Sequence, residues 1–208
     1  MKKGILFDID GTILDTSEFV FTAVEHTFKT HSLKTTKEEI ENVKGKPLLE
    51  FYKTLFPNQD FEAFAKTHHE FQVGRYQSGM LFPNVETTLK KLKDSGYKIA
   101  AVSNRSNKGL VESLGLNGVL QYFDTIVGTD NVVNPKPHPD HPMQALKNME
   151  ILAEDAIMVG DTQTDILAGK NAKIKTVGVT YGWIGNDIKK HNPDFIIDSL
   201  PELLKILK

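Results

Sequence analysis

The amino-acid order predicts an α/β chain: a parallel sheet with helices on both faces, and a small all-helical insert after the first strand. Three observations predict it. Short apolar runs at Gly4–Phe7, Lys98–Val102, Ala156–Val159 and Thr176–Val179 have the length and continuity of strands buried on both faces. Stretches of helical period separate the later runs, and strand alternating with helix is the pattern of a parallel sheet wrapped on both sides. Between Thr12 and Lys98, by contrast, only helical patterns appear and no convincing strand.

The first run ends in Asp8-Ile9-Asp10-Gly11-Thr12. Two carboxylates directly after a buried strand are costly unless they find a partner or a metal. Standing two residues apart on extended backbone, Asp8 and Asp10 point the same way while Ile9 faces the core. Gly11 lets the chain turn sharply, and Thr12 brings a hydroxyl and a backbone N–H to the mouth of the turn. A nucleophile and an acid/base could be built from such a strand end. An Asx-turn at Asp10-Gly11 accounts for the same residues without chemistry. Alone, the stretch does not separate the two readings.

Beyond Thr12 the apolar positions Phe19, Val20, Ala23, Thr27 and Phe28 recur near period 3.6, and further helices are predicted at Lys37–Val43, Leu48–Leu55 and Phe61–Tyr76, broken at Pro57-Asn58. Pro83 opens a helix with Val85, Leu89 and Leu92 on its apolar side and Gly96 as its stop. Strand Lys98–Val102, a helix near Lys108–Leu114 and strand Thr125–Val127 follow. Next come a helix near Pro142–Met149, strand Ala156–Val159, a helix near Thr164–Asn171 and strands Thr176–Val179 and Phe195–Ile197. A last helix begins at Ser199, where Ser199 and Glu202 have capping-box spacing and Pro201 sits in the first turn. The expected organisation is a core of residues 1–12 and 83–208 with an insert of residues 13–82. Sites of such sheets lie beyond the carboxyl ends of the strands.

Composition narrows the class. At 208 residues, 39% hydrophobic and 25% charged, the chain is expected to be one compact unit or a core with a small insert. A net charge of −2 offers no electrostatic case for nucleic acid or for an anionic membrane. Without cysteine there is no disulfide framework, zinc-thiolate site or thiol nucleophile. The apolar run behind Met1-Lys2-Lys3 is too short for a signal peptide and is interrupted by Asp8. No other stretch is long enough to span a bilayer. A cytoplasmic protein is expected.

Ser103-Asn104 ends the Lys98–Val102 run, Pro135-Lys136-Pro137 sits in a loop, and Gly160-Asp161 ends the next run with Asp165 four residues on. Together with Asp8-Ile9-Asp10-Gly11-Thr12, these resemble the four ordered motifs of the haloacid dehalogenase superfamily of phosphotransferases. Order, spacing and strand-end placement all match, across nearly the whole chain. The least specific part lies between Ile13 and Phe82. Each motif has a bland explanation: Ser103-Asn104 and Asp161-Thr162 are good helix caps, and Lys136 fits a solvated loop. Four of them in register arise by chance far more rarely than any one.

The resemblance implies a Rossmann-like core and, in residues 13–82, a mobile helical cap that closes over the site. It implies Asp8 as nucleophile, a role suited to a carboxylate because it is ionised near pH 7 without a base. It implies Asp10 as general acid and then general base, which favours hydrolysis or phosphomutation over the metal-free dehalogenases. A Mg²⁺ ion held by Asp8, the Asp10 carbonyl and Asp161, with Asp165 binding directly or through water, would offset anion repulsion; oxygen-only ligation suits it better than zinc. Ser103, Asn104 and the Thr12 backbone would donate to the phosphoryl group, and Lys136 would balance charge across Asp8 and the phosphate.

Gly45-Lys46-Pro47-Leu48 resembles the cap turn of phosphoglycolate phosphatase-like members. Lys46 there would meet a second anion, or would simply be an exposed lysine in a turn. The adjacent pair His68-His69 diverges on a helix, which argues against a shared metal. His138 and His141 fit a loop, with a substrate contact from His138 left open. Phe61, Phe64 and Phe71 read as the insert's own core, and Trp183 as packing. Two departures from the family pattern are Asn84 and the stretch Asn171-Ala172-Lys173, where relatives usually carry glycine. The expected activity is Mg²⁺-dependent hydrolysis of a small phosphate ester, phosphoglycolate among the candidates, by a monomer or homodimer. A β-phosphoglucomutase-like mutase and an inorganic pyrophosphatase remain alternatives on the same core. A non-catalytic binding protein should have lost a motif residue, and none is missing.

Overall fold

The computed structural model describes residues 3–43, 46, 48–73, 75 and 79–207. Six parallel strands form one sheet in the order β5-β4-β1-β6-β7-β8: β1 (Gly4–Phe7), β4 (Lys98–Val102), β5 (Thr125–Val127), β6 (Ala156–Gly160), β7 (Lys175–Val179) and β8 (Phe195–Ile197). The chain builds outward from β1 through β4 to β5, then returns to lay β6 on the other side of β1. That return makes a crevice beyond the carboxyl ends of β1 and β6, the place where sheets of this kind bind ligands. Phe7 is in register with both Ala101 and Val159, so the residues just after β1, β4 and β6 come level at one edge.

Alternation along each strand explains both cores. Ile5 and Phe7 pack on one face with Leu89 and Leu92 of α5 (Val85–Asp94), Leu110 and Leu114 of α6 (Asn107–Leu116) and Leu203 of α9 (Leu203–Ile206). Leu6 packs on the other with Leu146 and Met149 of α7 (Asp140–Met149), beside α8 (Gln163–Asn171). Because both faces are covered, the strands read as unbroken apolar runs.

Residues 17–72 form four helices, α1 (Ser17–Thr30), α2 (Lys37–Val43), α3 (Leu48–Leu55) and α4 (Phe61–Gln72), with a separate core of Val24, Val43, Phe51, Tyr52, Phe56 and Phe64. Phe61 packs against that cluster. Phe71 instead stacks on His26, ring centroids 4.5 Å apart, with the Arg75 guanidinium 4.2 Å above it. Two short strands differ from the expectation: β2 (Leu14–Asp15) and β3 (Met80–Leu81) pair antiparallel where the insert leaves and rejoins the core. Two residues each are too few to show a period, so no pattern could reveal them.

Helix α4 stops at Gln72 because Val73 is extended (φ −59°, ψ 127°); Tyr76, to which the pattern ran, lies outside the described residues, as do Gly45 and Pro47. At the other end Ser199 Oγ donates to Glu202 at 2.8 Å as the capping pattern implied, but the first turn is 3₁₀ and the α-helix begins at Leu203. Both departures from family pattern fall on left-handed backbone, Asn84 at φ 63° and Lys173 at φ 59°. Glycine adopts that conformation without steric cost, whereas an L side chain is strained in it. Among the described residues no helix is long and apolar enough to cross a membrane.

Candidate active site

Asp8 leaves β1 with its N–H donating to the Val159 carbonyl at 2.9 Å, which keeps its side chain at the sheet edge beside β6. Lys136, from the loop between β5 and α7, reaches it: Nζ lies 2.6 Å from Asp8 Oδ1, 2.6 Å from Asp165 Oδ1 and 3.0 Å from the Val102 carbonyl. All three ammonium hydrogens are thereby engaged. Asn104 sets the loop that carries this lysine, donating to the Lys136 carbonyl at 3.1 Å and accepting from its N–H at 2.9 Å. Its carboxamide therefore positions Lys136. Ser103 is buried and its Oγ accepts from Arg105 N–H at 3.2 Å.

Asp165 is spent on both sides. Besides Lys136, it caps α8 by accepting from Thr162 N–H at 3.0 Å and Thr162 Oγ at 2.6 Å. Asp161 is different. It is fully buried, Oδ2 accepts from Trp183 N–H at 2.6 Å, and Oδ1 has no hydrogen-bond partner among the described residues. Two glycines allow it that place. A Cβ on Gly11 (φ +86°) would overlap Asp161 Oδ2, and one on Gly182 would overlap Asp161 and the Gly11 carbonyl. Trp183 was expected only to pack; its ring does pack, 5.0 Å from Phe21, while its N–H anchors a carboxylate.

Asp8, Asp161 and Asp165 each offer an oxygen within 4.8 Å of the others. Burial first, then the Asp165 and Asp10 charges, pushes Asp8 up to about 8 even though Lys136 opposes the shift. Asp161 is held well above the usual carboxylate range, by burial first and then by Asp8 and Asp165. Lys136 is pushed up despite its burial, because Asp165 and Asp8 both favour its charge. The lysine gains from two carboxylates, whereas each carboxylate shares one ammonium. Three buried acids against one lysine, with an orphaned oxygen at Asp161, is a surplus that a hard cation would neutralise. The donor set and the orphaned oxygen fit a divalent metal ion.

A cavity of about 440 Å³ opens above this cluster, with Asp8, Asp10, Ser103 and Lys136 in its floor. Asp10 lies on the cavity side, its Oδ1 3.1 Å from Arg105 Nη1. Sequence reasoning passed over Arg105, although its position directly after Ser103-Asn104 was a signal. Thr12 is fully buried: its carbonyl accepts from Tyr181 OH at 3.0 Å, its N–H points to Ile9 O at 3.4 Å and its Oγ has no partner among the described residues. Residues of the insert form the cavity's upper wall, among them Phe21, Phe51, His69 and Lys46, whose Nζ meets Glu50 at 3.0 Å. His68 is buried within that unit on Tyr52 OH at 3.0 Å. His138 pairs with Asp140 at 2.8 Å, in keeping with a loop role. His141 is fully buried, and burial followed by the Lys136 charge pushes it down to about 4.

A parallel sheet of this order, with aspartates at the ends of β1 and β6 and a lysine between them, defines a class of hydrolase. Residues 5–179 match the haloacid dehalogenase-like hydrolase family, and the chain belongs to it. It is 35% identical to a protein of Halalkalibacterium halodurans named Pyrophosphatase PpaX, over 98% of this chain and 95% of that one. A second Pyrophosphatase PpaX, from Oceanobacillus iheyensis, is 30% identical over 99% and 96%. Among solved structures it resembles a predicted phosphoglycolate phosphatase of Haemophilus somnus, with TM-score 0.83, 26% identity, and coverage of 100% of this chain and 98% of that one.

Proposed function

We propose that this protein is a Mg²⁺-dependent phosphohydrolase of small phosphorylated compounds, with Asp8 as nucleophile and inorganic pyrophosphate as the first substrate to test. The observation that carries the reading is the Asp8–Lys136–Asp165 arrangement beside the unpartnered oxygen of Asp161. The full-length likeness to proteins named as pyrophosphatases favours that substrate over others.

Asp8 attacks phosphorus, the bond from phosphorus to the leaving oxygen breaks, and its electron pair goes to that oxygen. Asp10, on the cavity side of the turn, supplies the proton. Asp10 then takes a proton from water as the water oxygen attacks the phosphoaspartate, releasing phosphate and restoring Asp8. Lys136 holds the Asp8 oxygen in place and offsets its charge as the phosphoryl group approaches. Asp8, Asp161 and the Asp10 carbonyl, with Asp165 binding directly or through water, would hold a Mg²⁺ ion, which would supply Lewis-acid charge neutralisation. The insert of residues 13–82 acts as a cap that helps choose the substrate, and Lys46 lies in the cavity wall.

The test is turnover of pyrophosphate, phosphoglycolate and an aryl phosphate with and without Mg²⁺, for the parent and Asp8→Asn. Loss of an essential nucleophile costs several powers of ten in rate. Near-normal turnover by Asp8→Asn, or full activity in a chelator, would reject the mechanism.

A further inference from the structure

We infer that Arg105 is the receptor for negative charge on the leaving group, so that it sets the preference for substrates whose leaving group is itself an anion. The inference rests on the reading of Asp8 as nucleophile and Asp10 as acid. In an in-line displacement the leaving oxygen faces away from Asp8, and the acid that protonates it marks where it sits. Arg105 Nη1 is 3.1 Å from Asp10 Oδ1, so the guanidinium borders that position.

Among the described residues, the two lysines lining the cavity are placed for different work. Lys136 is buried with its three hydrogens on Asp8, Asp165 and the Val102 carbonyl. Lys46 belongs to the upper wall and is paired with Glu50. Arg105 is held from below, with its N–H on Ser103 Oγ and Nη2 on the Gly109 carbonyl at 3.3 Å. Its side chain keeps 14% exposure, and Asp10 keeps 27%. The residue is therefore anchored on the core rather than on the insert, and it lines the cavity.

The guanidinium borders the place where a departing anion would stand, and bidentate recognition of phosphate or carboxylate suits its planar fork. An aryl alcohol as leaving group offers no such second anion. The same chemistry would serve a second phosphate or a carboxylate, and separate substrates tell them apart.

The experiment compares the parent, Arg105→Gln and Arg105→Lys on pyrophosphate, phosphoglycolate and p-nitrophenyl phosphate. In parallel, calorimetry measures binding of imidodiphosphate and of phenylphosphonate to the Mg²⁺-loaded proteins. For Arg105→Gln, kcat/KM should fall roughly ten- to a hundredfold further on the doubly anionic substrate than on the aryl ester, the loss of one charge-assisted contact. Arg105→Lys should recover part of the difference. Imidodiphosphate should bind more weakly by a similar factor, and phenylphosphonate by much less. A preference for pyrophosphate identifies a second phosphate as the partner, and one for phosphoglycolate a carboxylate. Equal proportional losses on all three substrates would overturn the inference and leave Arg105 as a positioning residue for Asp10. If the parent turns over none of them, the function proposed above fails, and the two binding measurements still decide the role of Arg105: undiminished imidodiphosphate affinity in Arg105→Gln would refute it.

Discussion

Replacing Asp161 by asparagine should stabilise the metal-free protein while removing most of its response to Mg²⁺. Asp161 places a buried carboxylate within 4.8 Å of oxygens of Asp8 and Asp165, with one lysine to share among them. Two unit charges at that separation repel by about 3.5 kcal/mol at an effective dielectric constant of 20. Asparagine can still accept from Trp183 N–H, but its amide group stands where Oδ1 has no partner, so part of the gain is returned. A net gain of about 1–2 kcal/mol is expected, or roughly 2–8 °C in Tm for a chain of this size. The sign of the pH dependence follows from the raised Asp8 and Asp161 carboxyls. The folded protein holds a proton that the unfolded chain has already lost, so the site's contribution to stability falls as pH rises from the ordinary carboxylate range through about 8. The advantage of Asp161→Asn should therefore be larger at pH 9 than at pH 5.5. Adding Mg²⁺ reverses the order, since a ligand at a hundred times its Kd stabilises by about 2.7 kcal/mol and the variant has lost a ligand oxygen. The assay is calorimetric Tm for both proteins at the two pH values, in chelator and across a Mg²⁺ titration. A variant that is less stable than the parent at pH 9 in chelator, with an unchanged Mg²⁺ shift, would show that Asp161 only anchors the Trp183 turn.

Gly11→Ala should be destabilised by about 2 kcal/mol or more and should respond weakly to Mg²⁺, because the new methyl group overlaps Asp161 on backbone at φ +86°; an unchanged Tm would contradict the packing of that turn. Lys173→Gly should gain about 0.5–1 kcal/mol in denaturant unfolding, since Lys173 is exposed at φ 59° and gives up only strain; a loss would show that its side chain matters. His68 is pushed down to about 4, by burial first and then by the charge on His69. The unfolded chain binds its proton first, so stability is lost as pH falls from about 6.5 to 4, by at most about 3 kcal/mol. His68→Gln should flatten that loss, as read by hydrogen exchange of α1–α4, and identical acid profiles would exclude His68 as the cause.

Local pattern was enough for the sheet and for the acidic strand ends at its edge. A strand buried on both faces must be continuously apolar, so Asp8, Asp10 and Asp161 stood out as costly interruptions at the ends of β1 and β6. Their spacing and order carried the family resemblance before any coordinates. What the pattern could not carry was anything that depends on two distant segments meeting. β2 and β3 exist only because Leu14 and Leu81 face each other across the insert. Arg105 bordered a motif, yet only packing brought its guanidinium to Asp10, 95 residues away in the chain. Trp183 read as packing because a backbone N–H leaves no mark in a residue name, and its role appears only where the turn after β7 closes over Asp161. The sharing of Lys136 between Asp8 and Asp165 was likewise decided in three dimensions. Hydrophobic periodicity is a local property of the chain and survives in one dimension; charge balance and hydrogen-bond partners are properties of the packed molecule.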